Sequence, residues 1–274
     1  MKNNQVSFWA RNIQYRTESH NGTEYVVPIS KQTYLYNPLE NEYELLSDAL
    51  NLGRYLTEND MGQKECILDF VRKYGLLGIM TDITDSDFDS NEQVIIHENI
   101  FTESGIVSTS DVAKQFFPCD EVDILRPLEF KLGFKSRDTI YNKMFLNNWQ
   151  YSEPLKWLVK YFKYLYNFMT ADKNQLENFN KPRLTYKIDA QREINLVCEY
   201  VSLKAVIDFA LAKAVTDERK PLRYCKNCGK IFYAGDVRSE FCSPRCRNQF
   251  NVYKSRAKHW VLLWFYHLSV ILLE

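Results

Sequence analysis

Four of the seven cysteines fall in one short C-terminal stretch, as Cys225-x2-Cys228 and Cys242-x3-Cys246. No other feature of the sequence restricts the fold as much. A Cys-x2-Cys turn brings two thiolates onto one ion, with backbone amides donating to the sulfurs. Gly229 follows at once, where the turn needs a positive φ. Ser243-Pro244 after Cys242 is a helix start with proline in the first turn. Cys242 and Cys246 then share one face of that turn, and the positive end of the helix favours thiolates. Lys230–Tyr233 reads as a strand and Arg238–Phe241 as its partner, joined by a turn at Ala234-Gly235-Asp236. Knuckle, hairpin and helix make a treble-clef zinc finger over residues 221–259, holding one structural Zn²⁺. An iron–sulfur cluster on the same thiolates is the alternative. Four thiolates fill a tetrahedral sphere and leave no open position for water or substrate, so metal-assisted hydrolysis is disfavoured.

The other three cysteines, Cys66, Cys119 and Cys198, are scattered. An odd total, with no apolar signal core in the first residues, argues against a disulfide framework and for a reducing, cytoplasmic setting. The three read as small buried residues.

The formal net charge of zero hides a polarity. From Pro221 to His259 there are nine Lys/Arg against two acids, a charge of +7, balanced by −7 over the rest. Four thiolates with Zn²⁺ reduce the module to about +5. A basic module on an acidic body points to an acidic partner, with nucleic acid the commonest. The competing reading docks the basic patch on the chain's own acidic surface. On the module's helix, Cys246, Phe250, Tyr253, Ala257, Trp260 and Trp264 recur at steps of four and three as one apolar stripe. Arg245 and Arg256 flank the stripe on one side, and Arg247, Lys254 and Lys258 on the other. With Arg238 and Asn248 these are the candidate nucleic-acid contacts: arginine for phosphates or guanine edges, asparagine for base edges. An ordinary amphipathic helix with solvated basic flanks is the plainer reading of the same residues.

The helix runs into Trp260–Leu273, a strongly apolar stretch of 14 residues. As a helix this covers about 21 Å, against about 30 Å for a bilayer core. It therefore reads as an interface or buried helix, not a transmembrane segment. Left bare it would aggregate, so it is a candidate for binding a protein partner or a second copy.

Upstream, residues 1–220 read as a mostly helical body, a sensor or partner domain, with Pro221 at its boundary. The hydrophobic fraction of 45% and charged fraction of 26% are those of a globular chain and suggest neither disorder nor a fibrous class. Val6–Tyr15 and Tyr25–Tyr36 alternate like strands, and Asn21-Gly22 between them gives an N-terminal β-hairpin. Helices are expected over about 40–57, 62–74, 152–171 and 189–215, with Gly75 and Gly78 closing the second. In the third, Leu155, Leu158, Phe162, Leu165 and Met169 form a core stripe. The whole is α+β. His20 and His97 have no paired nucleophile, and no hydrolase, metalloprotease or phosphate-loop motif is present, so the chain does not read as an enzyme.

The segment YCKNCGKIFYAG…FCSPRCRNQFNVYKSR resembles the CGNR-type zinc finger found after an ABATE domain in bacterial transcription regulators. It is also similar to related Firmicutes zinc-finger proteins of unassigned function. Cys225, Cys228, Gly229, Phe232, Cys242 and Cys246 match in order over about 223–258. Asn248 keeps the family spacing, but Arg247 stands for its glycine and Gln249 for its arginine, and the last cysteine pair is one residue closer. Upstream, FVRKYGLLG at Phe70–Gly78 looks like a motif of such N-terminal domains. The resemblance implies DNA binding by the finger.

Overall fold

A computed structural model describes residues 9–81, 93–96, 98–118, 150–170, 183–188, 194–200, 202–216, 222–236 and 238–256. The chain divides into two compact units, Met1–Lys213 and Ala214–Glu274. Both are α+β, the second carrying the four-cysteine cluster.

The first unit opens with a long hairpin broken in the middle of each arm. β2 (Tyr15–His20) pairs with β3 (Thr23–Pro28) across Asn21-Gly22. Both turn residues have positive φ, 48° and 77°, as a two-residue turn matched to strand twist requires. β1 (Trp9–Asn12) and β4 (Thr33–Tyr36) resume the antiparallel pairing further out. The expected hairpin is therefore present, but its strands start and stop differently. Residues 15–20, read as the end of a strand and a turn, are wholly strand. Asn12 breaks the first arm, its side-chain amide donating to Ser30 O at 2.7 Å and its backbone N–H to Tyr15 Oη at 2.8 Å.

α1 (Glu42–Glu58) and α2 (Gln63–Tyr74) follow where the periodicity places them. Leu45, Leu46, Ala49, Leu50 and Leu56 of α1 are buried. They pack on a later helix, α4 (Leu155–Thr170), whose Leu155, Leu158, Phe162 and Leu165 are buried in turn. Gly53 marks the closest approach of the two helices: a Cβ there would lie 2.1 Å from the Phe162 carbonyl oxygen. Aromatic side chains fill the remaining core. Phe70 meets Phe162 edge to face at 4.7 Å, and Phe116 lies 5.7 Å from Trp157 and 5.8 Å from Tyr151.

The FVRKYGLLG segment turns out to be an internal hub. α2 ends on Gly75 (φ 89°), and Gly78 is again left-handed at 80°. Between and after them, three consecutive N–H groups point inward. Glu153, fully buried, receives them: Leu77 N donates to Oε2 at 2.8 Å, Gly78 N and Ile79 N to Oε1 at 2.6 and 2.8 Å. Tyr151 Oη adds a fourth donor at 2.7 Å. Glu153 belongs to β7 (Glu153–Pro154), which adds a third strand to β2–β3. One side chain thereby ties helix end, sheet and α4 together.

β5 (Gln93–Ile96) and β6 (Gly105–Ser108) form a second hairpin leading into α3 (Thr109–Phe116). β8 (Arg183–Ile188) and β9 (Ile194–Glu199) form a third, and α5 (Leu203–Thr216) follows. This corrects the single helix expected over 189–215: Ile194–Glu199 is strand, since Ile194, Leu196 and Cys198 alternate with polar or β-branched neighbours as a strand allows. Ser202 caps α5, accepting from Ala205 N at 3.0 Å. Inside, Lys204 and Asp208 are both buried and bonded at 2.6 Å, with Tyr161 Oη donating to the same carboxylate at 2.9 Å.

Among the described residues no helix is long and apolar enough to cross a membrane. The apolar run 260–273 lies outside the described residues.

Candidate metal centre

The finger begins with β10 (Leu222–Tyr224), and β11 (Ile231–Tyr233) pairs with it antiparallel. The Cys225–Cys228 knuckle is the connection between these strands. Gly229 N donates to Cys225 O at 2.8 Å and Cys225 N to Lys230 O at 2.8 Å, closing the turn. Gly229 has φ 69°, which a side chain would strain.

This pairing corrects the expected hairpin. β11 does not pair with 238–241, which carries no strand. The knuckle supplies the tight turn itself, so the preceding strand is the nearer partner. The segment after β11 turns back on Asp236, whose Oδ1 accepts from Arg238 N and whose carbonyl accepts from Ser239 N, both at 2.8 Å. It then lies beside the knuckle, with Lys226 N donating to Glu240 O at 3.0 Å and Lys226 Nζ bonding Glu240 Oε1 at 2.6 Å.

Helix α6 spans 244–256. Ser243 caps it, accepting from Cys246 N at 3.2 Å, and Pro244 occupies the first helical position, where no N–H is needed. Phe241 and Phe250 pack at 5.2 Å beneath the helix. Buried Cys225, Ile231 and Ala234 complete a core of very few residues.

These elements bring the four predicted ligands together. Their Sγ atoms all lie within 4.8 Å of one another. Cys228 and Cys242 are 3.6 Å apart, and Cys242 and Cys246 3.5 Å. A disulfide needs about 2.05 Å. A tetrahedron with arms of about 2.3 Å has edges near 3.8 Å, the metal–thiolate geometry of a four-cysteine site. The cluster can hold one metal ion. Its electrostatics agree. Burial pushes the Cys225 thiol up, but backbone N–H groups of Cys242, Cys228 and Asn227 outweigh it and bring the group down to about 6. Burial and the neighbouring thiols push Cys242 up to about 12. Four thiolates this close repel one another, and a cation in their midst removes that penalty.

The candidate nucleic-acid residues that are described, Arg238, Arg245, Arg247, Asn248, Lys254 and Arg256, are all exposed. Among the described residues none of the five cationic side chains forms a close ion pair with a carboxylate, although Lys254 acts through space on Glu240, and the Asn248 amide has no hydrogen-bond partner. Lys258 lies outside the described residues. Among the described residues of the expected apolar stripe on α6, Cys246 and Phe250 are half-buried, while Tyr253 is 54% exposed. Ala257, Trp260 and Trp264 are beyond the described residues.

The comparisons with family profiles, characterised proteins and solved structures returned no match to this chain.

Sequence reasoning overlooked Gln249. It stands where the resembling fingers have arginine, and its amide links two parts of the module. Asn227 Nδ2 donates to its Oε1 at 3.2 Å, and its Nε2 donates to Tyr253 Oη at 3.0 Å. Gln249 thus ties the knuckle to the helix. The signal lay in the departure itself: a glutamine has both a donor and an acceptor for such a bridge, and an arginine only donors.

Proposed function

We propose that this chain is a cytoplasmic zinc-finger protein of the CGNR-like bacterial group. In this reading one structural Zn²⁺ rests on Cys225, Cys228, Cys242 and Cys246, and the finger binds DNA as part of a transcription regulator. Zinc is favoured over an iron–sulfur cluster because the four sulfurs close on a single point at single-ion spacing. The observation that carries DNA binding is the set of exposed cations on α6 and at Arg238, none in a close ion pair among the described residues. The competing docking of the patch on the chain's own acids would neutralise some of them. Phosphate contacts by Arg245, Arg247, Lys254 and Arg256 would position the helix, leaving Asn248 free for a base edge.

The test is fluorescence anisotropy of the zinc-loaded full chain on labelled DNA duplex across a salt series. Steep salt dependence, weakened by Arg245→Glu with Arg247→Glu and abolished by chelation, is the expected result. No binding at low salt sinks the reading.

A second reading rests on Tyr253 and Val252, which are 54% and 48% exposed just before the apolar run. In it, 260–274 joins a protein partner or a second copy. Deleting 260–274 then abolishes self-association in sedimentation while the cysteine cluster still binds metal.

A further inference from the structure

The body, residues 1–220, is acidic, with a formal charge of −6. Most of its described cations are neutralised locally. Lys73 sits against Glu44 and Asp48 at 2.6 and 2.7 Å, Arg72 against Asp69 at 2.8 Å, and Lys204 against Asp208 at 2.6 Å. Lys64 bonds Glu24, and Lys213 bonds Glu42.

Helix α4 is the exception. Lys156, Lys160 and Lys163 recur at steps of four and three, so they lie in one row. That row is on the side away from Leu158, Phe162 and Leu165, which are buried. Lys156 and Lys160 are exposed and Lys163 is half-exposed. None of the three has a carboxylate partner among the described residues. Exposed Asn167 continues the row. Seven residues of helix span about 10.5 Å, and one DNA strand presents a phosphate about every 3.4 Å of axis. Three cations over that length match the charge density of one strand.

We propose that this face of α4 is a second phosphate-contacting surface, by which the body itself grips a nucleic-acid duplex. The proposal rests on the reading that the chain binds DNA, but it places part of the footprint outside the finger.

The experiment uses the zinc-loaded full chain on a random-sequence DNA duplex between about 50 and 200 mM salt. Wild type is compared with K156E/K160E/K163E, with the neutral K156Q/K160Q/K163Q, and with R245E/R247E. Each phosphate contact contributes about 0.9 to the slope of log affinity against log salt. Both lysine variants are expected to lower the slope by up to about 2.7, with thermal midpoints unchanged. A wild-type slope in the neutral lysine variant overturns the proposal, and the finger reading survives if R245E/R247E still weakens binding. A lower slope in the lysine variants with none in R245E/R247E supports the α4 face and overturns the finger reading. No duplex binding by wild type overturns both. Lysine-dependent retention on phosphatidylserine vesicles with duplex binding unaffected also overturns it, assigning the face to a membrane surface.

Discussion

The body and the finger use charge in opposite ways. Away from the α4 lysine row, most described cations of the body are paired with its anions. Lys73 bridges two carboxylates of α1, and Lys204 and Asp208 are sealed in the interior with Tyr161. Glu153 collects four donors in a site with no solvent exposure. In the finger, a single close ion pair, Lys226 with Glu240, is present among the described residues, and the remaining described cations apart from half-buried Arg223 face solvent. The reason is size. A large apolar core can cover the cost of ordering buried charges, while a module whose described residues bury little besides Cys225, Ile231 and Ala234 cannot. The finger relies on its cysteines for shape, which leaves its surface charges uncommitted to the fold.

The largest expected effect tests that division directly. Structural zinc supplies about 10–16 kcal/mol of folding free energy to small finger modules. Chelation should unfold 222–256 and leave α1, α2 and α4 intact. Hydrogen exchange read by peptide is the check: protection lost throughout the finger and kept in Leu45–Leu56. Loss of protection in both units, or in neither, breaks the comparison.

Next in size is a contrast between two glycines. At Gly53 an added Cβ meets the Phe162 backbone at 2.1 Å, and a backbone carbonyl cannot swing aside. Gly53→Ala should cost about 3 kcal/mol, since the helices must separate. At Gly235 in the finger nothing lies within 4 Å. Gly235→Ala should change stability by less than about 0.5 kcal/mol. Denaturant midpoints of the two variants decide whether tight packing is confined to the body.

What was legible in the sequence was what is encoded locally. The cysteine spacing, Ser243-Pro244 and Gly229 specify a metal cluster without reference to distant residues. Asn21-Gly22 specifies its turn, and the α1, α2 and α4 periodicities specify their buried faces. What was missed depends on partners far along the chain. Glu153 in SEPL looks like a surface residue, because the N–H groups that hold it come from Leu77, Gly78 and Ile79. The strand at 194–199 reads as helix in the sequence because its apolar residues fit either period until β8 is available to pair with it. In the finger, the sequence leaves β11 two candidate partners, because both flanking segments are short enough to be strands. The knuckle's own hydrogen bonds between Cys225 and Lys230 choose β10.

Glu153 gives the third effect. Glu153→Gln keeps the shape but turns an NH₂ toward backbone N–H groups, leaving a buried donor unsatisfied. The expected cost is about 1–3 kcal/mol. Its titration has a defined sign. Burial is the strongest influence and raises its pKa above the ordinary 4.5, against the pull of Tyr151 and the three backbone donors. The folded state then holds the proton more tightly than the unfolded one. This group's contribution is therefore most favourable below 4.5 and declines as pH rises through the raised value. Wild type minus Glu153→Gln, compared by urea unfolding at several pH values, isolates the slope. A difference that grows more favourable with rising pH contradicts the assignment.

The smallest effect is the most direct probe of what the charges are for. Lys73 is partly exposed, so its pairing with Glu44 and Asp48 is screened by solvent. Lys73→Met should lower stability by no more than about 1 kcal/mol. Arg245 and Arg247 have no carboxylate to lose among the described residues, so reversing both to Glu should leave the melting temperature of the zinc-loaded chain unchanged. Near-zero cost there, alongside weakened DNA binding, is the signature of side chains held for a partner. A clear loss of stability on reversal would mean that these arginines support the finger's own fold. The difference drawn between the two units would then hold for the cysteines alone.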